Sequence, residues 1–249
     1  MQLLIMISRL KTALIHLGAS ICMALAALAA VYFVWYPSPL QIATGVSGIF
    51  LILLGVDIVI GPLLTLLVYK PGKKNLRFDL AVIVTLQLMA FGYGMWSISV
   101  ARPAWLVFNA DRFDLARAHE LDTRFATDAR PEFRHPPWSG PQWVASRAPA
   151  NREKRNQLLL ESAMGGPDLP QRIDLYVPIS EMAEKMRAKA HPLEELNHYN
   201  APAVVSSTLA KWPQADAWLP LMTKGQSMSV LLSKKEDKAL AVVDLRPWN

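Results

Sequence analysis

Three long apolar segments dominate the first 100 residues of the chain. They cover residues 12–35, 42–69 and 80–100, and isolated polar side chains interrupt them. A helix needs about 20 mostly apolar residues to cross a bilayer, and each segment reaches that length. The second segment is longer than required, so we expect it to be tilted or partly interfacial. The pattern predicts three transmembrane helices within a membrane domain spanning residues 1–101.

The first segment also has features of a secretory signal peptide. Small residues at 24–26 and 27–29 resemble signal-peptidase sites. The apolar stretch nevertheless continues as far as Trp35, beyond the roughly 7–15 residues of a typical signal core. We therefore expect this segment to be retained as a membrane helix.

The basic residues around these segments predict an orientation. The first loop, residues 36–41, carries no charge, whereas the basic residues precede the first segment or lie in the second loop. The positive-inside rule then places the N-terminus and the second loop in the cytoplasm, and the chain after residue 100 outside. In a Gram-negative bacterium this is an inner-membrane protein with a periplasmic domain. The basic residues concerned are Arg9, Lys11, Lys70, Lys73, Lys74 and Arg77.

Small residues recur every fourth position along two of the segments. Such stripes allow helix backbones to approach closely in lipid. They either pack these three helices together or accept a helix from another protein, and the sequence leaves both interpretations open. The stripes are Gly18, Cys22, Ala26 and Ala30 on the first segment, and Gln87, Ala90, Gly94, Ser97 and Ala101 on the third.

Asp57 lies near the middle of the second segment, one turn before Gly61 and Pro62. A carboxylate inside a membrane costs ~2.5–3.5 kcal/mol on insertion scales and marks a functional site by default. The predicted segment ends place Gln87 nearer to Gly61 or Thr65 than to Asp57. Asp57 is then either protonated and bonded to a carbonyl that Pro62 leaves free, or in contact with a partner. One acid on three helices does not form a proton relay.

Residues 102–249 are predicted to form an α+β domain that ends in an antiparallel β-meander. Trp138 and Trp143 lie in a proline-rich stretch, residues 130–151, which predicts an extended loop with tryptophans that pack on the domain or on a partner. Ser180 is expected to cap a helix that ends at Pro192. The other expected elements are strands at 104–109, 172–177, 217–222, 227–233 and 239–245, and helices at 152–164 and 203–212.

Composition narrows the possible functions. Charged residues make up 18% of the 249 residues, against about a quarter in an ordinary soluble domain. The net charge of +6 arises mainly before residue 102, next to the apolar segments, so nucleic acid is not an expected partner. The single cysteine, Cys22, excludes an internal disulfide and a cysteine-pair metal site.

No catalytic constellation is evident in the sequence. The five histidines lack metal-ligand spacing, and neither an HExxH motif nor a GxSxG elbow occurs. Asp111 and Asp114 flank Arg112, which predicts a salt-bridged turn after the first strand of the domain. We therefore expect no enzyme activity, catalytic residue, metal, cofactor or small-molecule substrate.

Several blocks of the chain resemble the type IV pilin accessory proteins of the TfpX/TfpZ type, which include fimbrial assembly accessory proteins. The resemblance is densest between residues 36 and 113. The blocks are Tyr-Pro-Ser-Pro at 36–39, Val-Asp at 56–57, Gly-Pro-Leu-Leu-Thr at 61–65, Lys-Lys at 73–74, Arg-Phe-Asp-Leu at 77–80, Gln87, Arg-Pro at 102–103, Phe108, Asp-Arg-Phe at 111–113, Leu-Pro-Leu at 219–221 and Asp-Leu-Arg-Pro-Trp at 244–248.

The resemblance implies an inner-membrane protein that a major pilin needs for its assembly or stability, with no enzymatic activity and no cofactor. A pilin has an N-terminal transmembrane helix that continues into an outer globular head. The hypothesis is that the membrane helices hold the pilin helix while the outer domain covers the head. The hypothetical partner-binding residues are Asp57, Gly61, Pro62, Gln87, Gly94, Asp111 and Arg112.

Two other classes of function are weighed against this one. An enzyme that transfers a glycan or a lipid to the pilin usually has many spans, whereas this chain has three with one buried acid. A periplasmic ligand sensor needs a cytoplasmic output module, but the predicted topology leaves about 11 N-terminal residues and a short loop there. Both are less well supported than the accessory role.

Overall fold

The computed structural model describes residues 2–248, with side chains from Met6 onward. The chain divides into two compact units. The first, here called the helical unit, contains the residues up to Val34 together with Val46–Val100. The second, here called the sheet domain, contains Trp35–Gly45 and the chain from Ala101 onward. Residues 35–45 therefore belong to the sheet domain, although they precede it in sequence.

The helical unit confirms the prediction of three helices long and apolar enough to cross a membrane. Helix α1 (Gln2–Ala29) continues as a π-helix to Trp35. Helix α2 (Leu40–Thr44) is short and precedes helix α3 (Val46–Val68) and helix α4 (Leu76–Val100). The second apolar segment, expected from residue 42, is thus divided in two. Gly45 adopts a left-handed conformation with φ 69° and ends α2.

Helices α1 and α4 both pack against α3. The buried residues of α3 follow helical spacing and include Phe50, Leu54 and Asp57. On α4, Gly94 allows a close approach, because a Cβ there would lie 2.7 Å from Leu53. The stripe on α1 behaves differently, since Cys22 and its small neighbours at 18 and 26 are exposed. The α1 stripe therefore does not pack the three helices together.

The sheet domain contains one seven-stranded mixed sheet, which confirms the predicted α+β class. Its strands run in the order β4-β3-β1-β2-β5-β6-β7, and only the β1–β3 and β2–β5 pairs are parallel. The predicted C-terminal meander is present as the antiparallel strands β5, β6 and β7. The strands are β1 (Pro103–Asn109), β2 (Arg112–Arg117), β3 (Gln142–Ser146), β4 (Tyr176–Val177), β5 (Ala217–Met222), β6 (Met228–Ser233) and β7 (Lys238–Val243).

Two of the expected helices are confirmed and one is shorter than expected. Helix α5 (Arg152–Ala163) and helix α7 (Pro202–Leu209) occupy the predicted positions. Helix α6 (Ala183–Lys189) begins three residues after Ser180, which lies in a preceding 3₁₀ turn and does not cap it. The prediction that Ser180 is an N-cap is therefore wrong.

Two predictions about strands are also wrong. The stretch expected to be only an extended loop contains β3, which lies between β1 and β4 in the sheet. The expected strand at 172–177 is mostly a 3₁₀ turn, and only its last two residues form β4. Arg172 binds Asp174 through two hydrogen bonds of 2.8 Å across this turn. That local pairing stabilises a turn where the residue pattern alternates like a strand.

The main core of the sheet domain is aromatic and apolar. Phe113 on β2 packs against Phe108 and Trp143, with ring centroids 5.6 and 5.2 Å apart. Trp143 thus packs on the domain itself. Trp138 remains 64% exposed, and the Arg102 guanidinium lies 5.0 Å from its ring centre. The two tryptophans of the proline-rich stretch therefore have different environments.

Helix α2 completes this core from a distant part of the sequence. Leu40 and Ala43 are buried in the same cluster as Phe113. The carbonyl oxygen of Ala43 accepts hydrogen bonds from the backbone N–H of Gln226 at 3.0 Å and from Oγ1 of Thr223 at 3.2 Å. The first loop is therefore a structural part of the sheet domain.

A buried carboxylate predicts how the stability of this domain depends on pH. Asp122 accepts two hydrogen bonds of 2.9 Å from Arg124, which hold the pKa of its carboxyl below the ordinary 3.8. The resulting stabilisation is complete above about pH 5 and is lost as the pH falls through the lowered pKa. We expect Asp122→Asn to cost about 1.5 kcal/mol at pH 7, the lower end for a hydrogen bond to a charged group.

Thermal unfolding of the full chain between pH 7 and pH 3 measures this effect. The difference between the wild-type protein and the Asp122→Asn variant should shrink as the pH falls, because protonation removes the charge by which the aspartate differs from the asparagine. A stability difference between the two proteins that stays constant from pH 7 to pH 3 would contradict a lowered pKa of Asp122 in the folded state.

Candidate binding cleft in the helical unit

A cleft lies between α1 and α4, with α3 as its floor. Its volume is about 330 Å³, and we call it the α1–α4 cleft. Ile15 on one rim and Leu88 on the other are exposed, so the cleft opens to the outside of the unit. It is lined by Thr12, Ile15, His16, Ala19, Ser20 and Met23 of α1, by Asp57 and Thr65 of α3, and by Leu80, Val84, Gln87 and Leu88 of α4.

Asp57 and Gln87 meet on the floor of this cleft. Nε2 of Gln87 donates hydrogen bonds of 3.0 Å to Oδ1 and to the backbone oxygen of Asp57. The prediction that these residues are offset along the helix axes is wrong, because α4 begins at Leu76 rather than at residue 80. Asp57 precedes the end of α3 at Val68 by as many positions as Gln87 follows the start of α4. Both are therefore about 16 Å from the same end of the helical unit.

The pair is incompletely hydrogen-bonded. Oδ2 of Asp57 and Oε1 of Gln87 are buried and have no hydrogen-bond partner among the described residues. The expected bond from Asp57 to a carbonyl freed by Pro62 is absent from this part of the chain, and α3 continues through the proline. Buried polar atoms without a partner are rare, and each calls for an explanation.

A second polar contact lies about two turns away. Nδ1 of His16 is 2.6 Å from Oγ1 of Thr65, and Ser20 is buried beside them. Sequence reasoning did not identify His16 and Ser20 as site residues, and it expected Thr65 to be a neighbour of Gln87. The signal was nevertheless present, because these residues are the polar interruptions of the apolar segments. His16 and Ser20 of α1 thus line the same cleft as Asp57 and Thr65 of α3.

Some of the predicted partner-binding residues lie at the cleft, and others do not. A Cβ on Gly61 would overlap the amide of Gln87, so this glycine makes room for the Asp57–Gln87 pair. Pro62 is buried next to it. Gly94 contacts Leu53 about two turns from Gln87 along α4. Gly61 and Gly94 therefore serve packing within the chain.

Asp111 and Arg112 line a different cavity, in the sheet domain. It measures about 500 Å³ and also contains Lys189, His191 and Trp248. The predicted ion pair is present, since Nε of Arg112 lies 3.2 Å from Oδ1 of Asp114. The prediction of a turn is wrong for these two residues, because both lie in strand β2. Burial raises the pKa of the Asp114 carboxyl, and the neighbouring Arg112 partly offsets this. This cavity presents both charges and an aromatic surface.

The described residues, 2–248, contain no group of three or more histidine, cysteine, aspartate or glutamate side chains that could hold a metal ion. The best-defined chemical feature of the helical unit is a pair of buried side-chain oxygens, on Asp57 and Gln87, that have no hydrogen-bond partner among the described residues.

Comparison with known proteins places the chain among proteins of pilus assembly. The model of the family described as fimbrial assembly protein FimB matches residues 5–45. The fimbrial assembly proteins of Dichelobacter nodosus serogroups E1 and I are 37% and 36% identical to it over 183 residues, which is 73% of this chain and 71% of each relative. The protein of serogroups C1 and C2 is 39% identical over 99 residues, covering 39% of this chain and 76% of that relative.

No solved structure is detectably similar. The relatives nevertheless confirm the resemblance seen in the sequence, since two of them align with most of the chain. The chain belongs to the family of fimbrial assembly proteins.

Proposed function

We propose that this chain is a non-enzymatic accessory protein of type IV pilus biogenesis, which binds its major pilin in the inner membrane and stabilises it before assembly. Family membership supports a role in pilus assembly. The observation that carries the binding step is the open α1–α4 cleft, where Asp57 is buried but keeps an oxygen without a partner among the described residues. Such intramembrane carboxylates are usually functional.

The proposed topology has a cytoplasmic N-terminus and a periplasmic sheet domain. The basic second loop supports this orientation. The membership of residues 35–45 in the sheet domain supports a separate part of the topology, namely that the first loop and the sheet domain lie on the same side of the membrane. A chain with three crossings places its first loop and its C-terminal part on the same side, as a shared core requires.

The sheet domain is proposed to contact the pilin head. Its cavity at Asp111 and Arg112 supports this assignment, because charged side chains surround Trp248 there. Aromatic residues and arginines are enriched where proteins meet. The lipid bilayer is the other partner, since it surrounds the apolar outer faces of the three helices.

The decisive experiment is a deletion of the gene, with pilin measured in membranes and pili counted on the cell surface. We expect the pilin to disappear from the membrane together with the pili, and its intact mass to be the same with and without this protein. Pilin that persists while pili vanish would contradict stabilisation and indicate a later step. Unchanged pilin and pili would overturn the proposal.

Complementation with Asp57→Leu tests the membrane contact. One hydrogen bond between membrane helices contributes about 0.6–1.7 kcal/mol, so pilin co-purification should fall about three- to twenty-fold. Val59→Ala is the matched control, because Val59 lies close by in sequence but on the exposed side of α3. Equal co-purification with Asp57→Leu and with the wild-type protein would contradict a role for Asp57.

A further inference from the structure

We infer that the pilin helix lies over the α1–α4 cleft and presents a hydrogen-bond donor, an N–H or O–H group, to Asp57 and Gln87. This inference rests on the proposed function and adds the face of contact and the chemistry of the contacting group. Other faces of the helical unit are also apolar and exposed, so the choice of this face needs an argument of its own.

The hydrogen bonds already formed in the cleft determine which kind of partner group can bind Asp57 and Gln87. Nε2 of Gln87 already donates to two oxygens of Asp57, at 3.0 Å each. What remains without a partner among residues 2–248 is Oδ2 of Asp57 and Oε1 of Gln87, both buried acceptors. Oε1 of Gln87 is an acceptor in every state, and we take Asp57 as the ionised carboxylate, which has no proton to donate. A partner that offers another acceptor then leaves both atoms unsatisfied, whereas a donor satisfies them. Asp57 and Gln87 both line the cleft, and the cleft lies among membrane-spanning helices, where no bulk water is present to substitute for the donor.

The size of the cleft defines how a helix fits. A helix is about 10 Å across, so one turn occupies roughly 400 Å³. The cleft measures about 330 Å³ and therefore takes side chains of the partner rather than its whole backbone. On α1 the cleft is lined by the short side chains of Ala19 and Ser20, which project little from the helix. The neighbouring small residues Gly18 and Cys22 are exposed. This side of the cleft allows a second helix to approach α1 closely.

Photo-crosslinking locates the pilin on the helical unit. A photoreactive amino acid is placed at Leu88, on the rim of the cleft, or at Val59, which is about 200° away from Asp57 around α3. These side chains are 53% and 57% exposed, so their accessibility is matched. The full chain is expressed with its pilin and irradiated in membranes. We expect a pilin adduct from Leu88 and none from Val59.

The other outcomes separate this inference from the proposed function. If Val59 alone gives an adduct, the placement of the pilin helix over the cleft is overturned, but the proposal that this chain binds the pilin stands. The same holds if neither position gives an adduct while the pilin still co-purifies. If Leu88 gives adducts with lipid only while the pilin still co-purifies, the placement of the pilin helix over the cleft is overturned as well. Failure of pilin to co-purify with the wild-type protein overturns the proposed function itself.

The substitution Asp57→Asn tests whether the pilin group that contacts residue 57 is a hydrogen-bond donor. The asparagine oxygen takes the bond from Gln87, and its amide group then places a donor where the unpaired acceptor was. We expect the pilin adduct at Leu88 to fall about three- to twenty-fold. Membrane abundance and thermal stability that match those of the wild-type protein establish that the variant folds. An adduct at the wild-type level would show that pilin binding does not depend on a hydrogen-bond acceptor at residue 57, and would overturn the inference.

Discussion

Phe113→Ala is expected to lower the free energy of unfolding of the sheet domain by about 3–5 kcal/mol. Phe113 is fully buried in the cluster that contains Leu40, Leu219 and Leu221. Its ring also packs against Phe108 and Trp143. Removing the ring loses its transfer free energy and leaves a cavity, because residues from three strands and from α2 surround the site and limit its collapse.

Thermal unfolding of the purified full chain in detergent measures this loss. For a domain of this size the expected decrease in Tm is about 6–20 °C. Phe113→Leu is the matched control, since it keeps most of the buried apolar volume and should lose much less stability. Equal effects of the two variants would show that burial at this position does not determine the stability of the domain.

Gly225→Ala has the second largest expected effect. A Cβ at residue 225 would overlap the carbonyl oxygen of Ala43, which is a backbone atom and not the mobile end of a side chain. The same oxygen accepts the bonds from Gln226 and Thr223 that attach α2 to the turn before β6. We expect a cost of about 1–3 kcal/mol, the usual range for an added carbon in a packed site.

Limited proteolysis of the first loop, together with the Tm, measures the effect of Gly225→Ala. Cleavage within residues 36–45 should become faster as α2 detaches. Lys224→Ala is the neighbouring control, because it leaves the contact with Ala43 intact and removes only the ion pair between the exposed Lys224 side chain and the largely buried Glu120 carboxylate. A Gly225→Ala variant as resistant as the wild-type protein would contradict the contact.

The parts of the structure that sequence predicts well are those with a long or repeated signal. Apolar segments long enough to cross a bilayer predict the membrane helices, and alternation between polar turns predicts the meander of β5, β6 and β7. The strand β3 escaped prediction because it is short and flanked by prolines, and because its pairing partner β1 lies far away in the sequence. Pairing between distant segments leaves no local pattern in so short a strand.

The cleft was predictable only in part, for a geometric reason. Asp57, Gly61 and Gln87 stood out as polar or small residues in apolar segments. Whether Asp57 and Gln87 meet depends on where each helix begins, and a shift of about one turn at the start of α4 changes the depth of Gln87 by about 6 Å. The contact between His16 and Thr65 depends on the rotation of α1 against α3, which no local pattern specifies.

The attachment of α2 to the sheet domain links folding to membrane insertion. The hydroxyl of Thr223 and the oxygen of Ala43 are 180 residues apart in sequence, so this contact forms only after nearly the whole chain has been synthesised. A chain that lost the crossing of α3 or of α4 would hold residues 35–45 and 101–249 on opposite sides of the bilayer. Its core would lack Leu40 and Ala43, and the misinserted molecule would be the one exposed to proteolysis. The core of the sheet domain can therefore be completed only when α3 and α4 have both crossed the membrane.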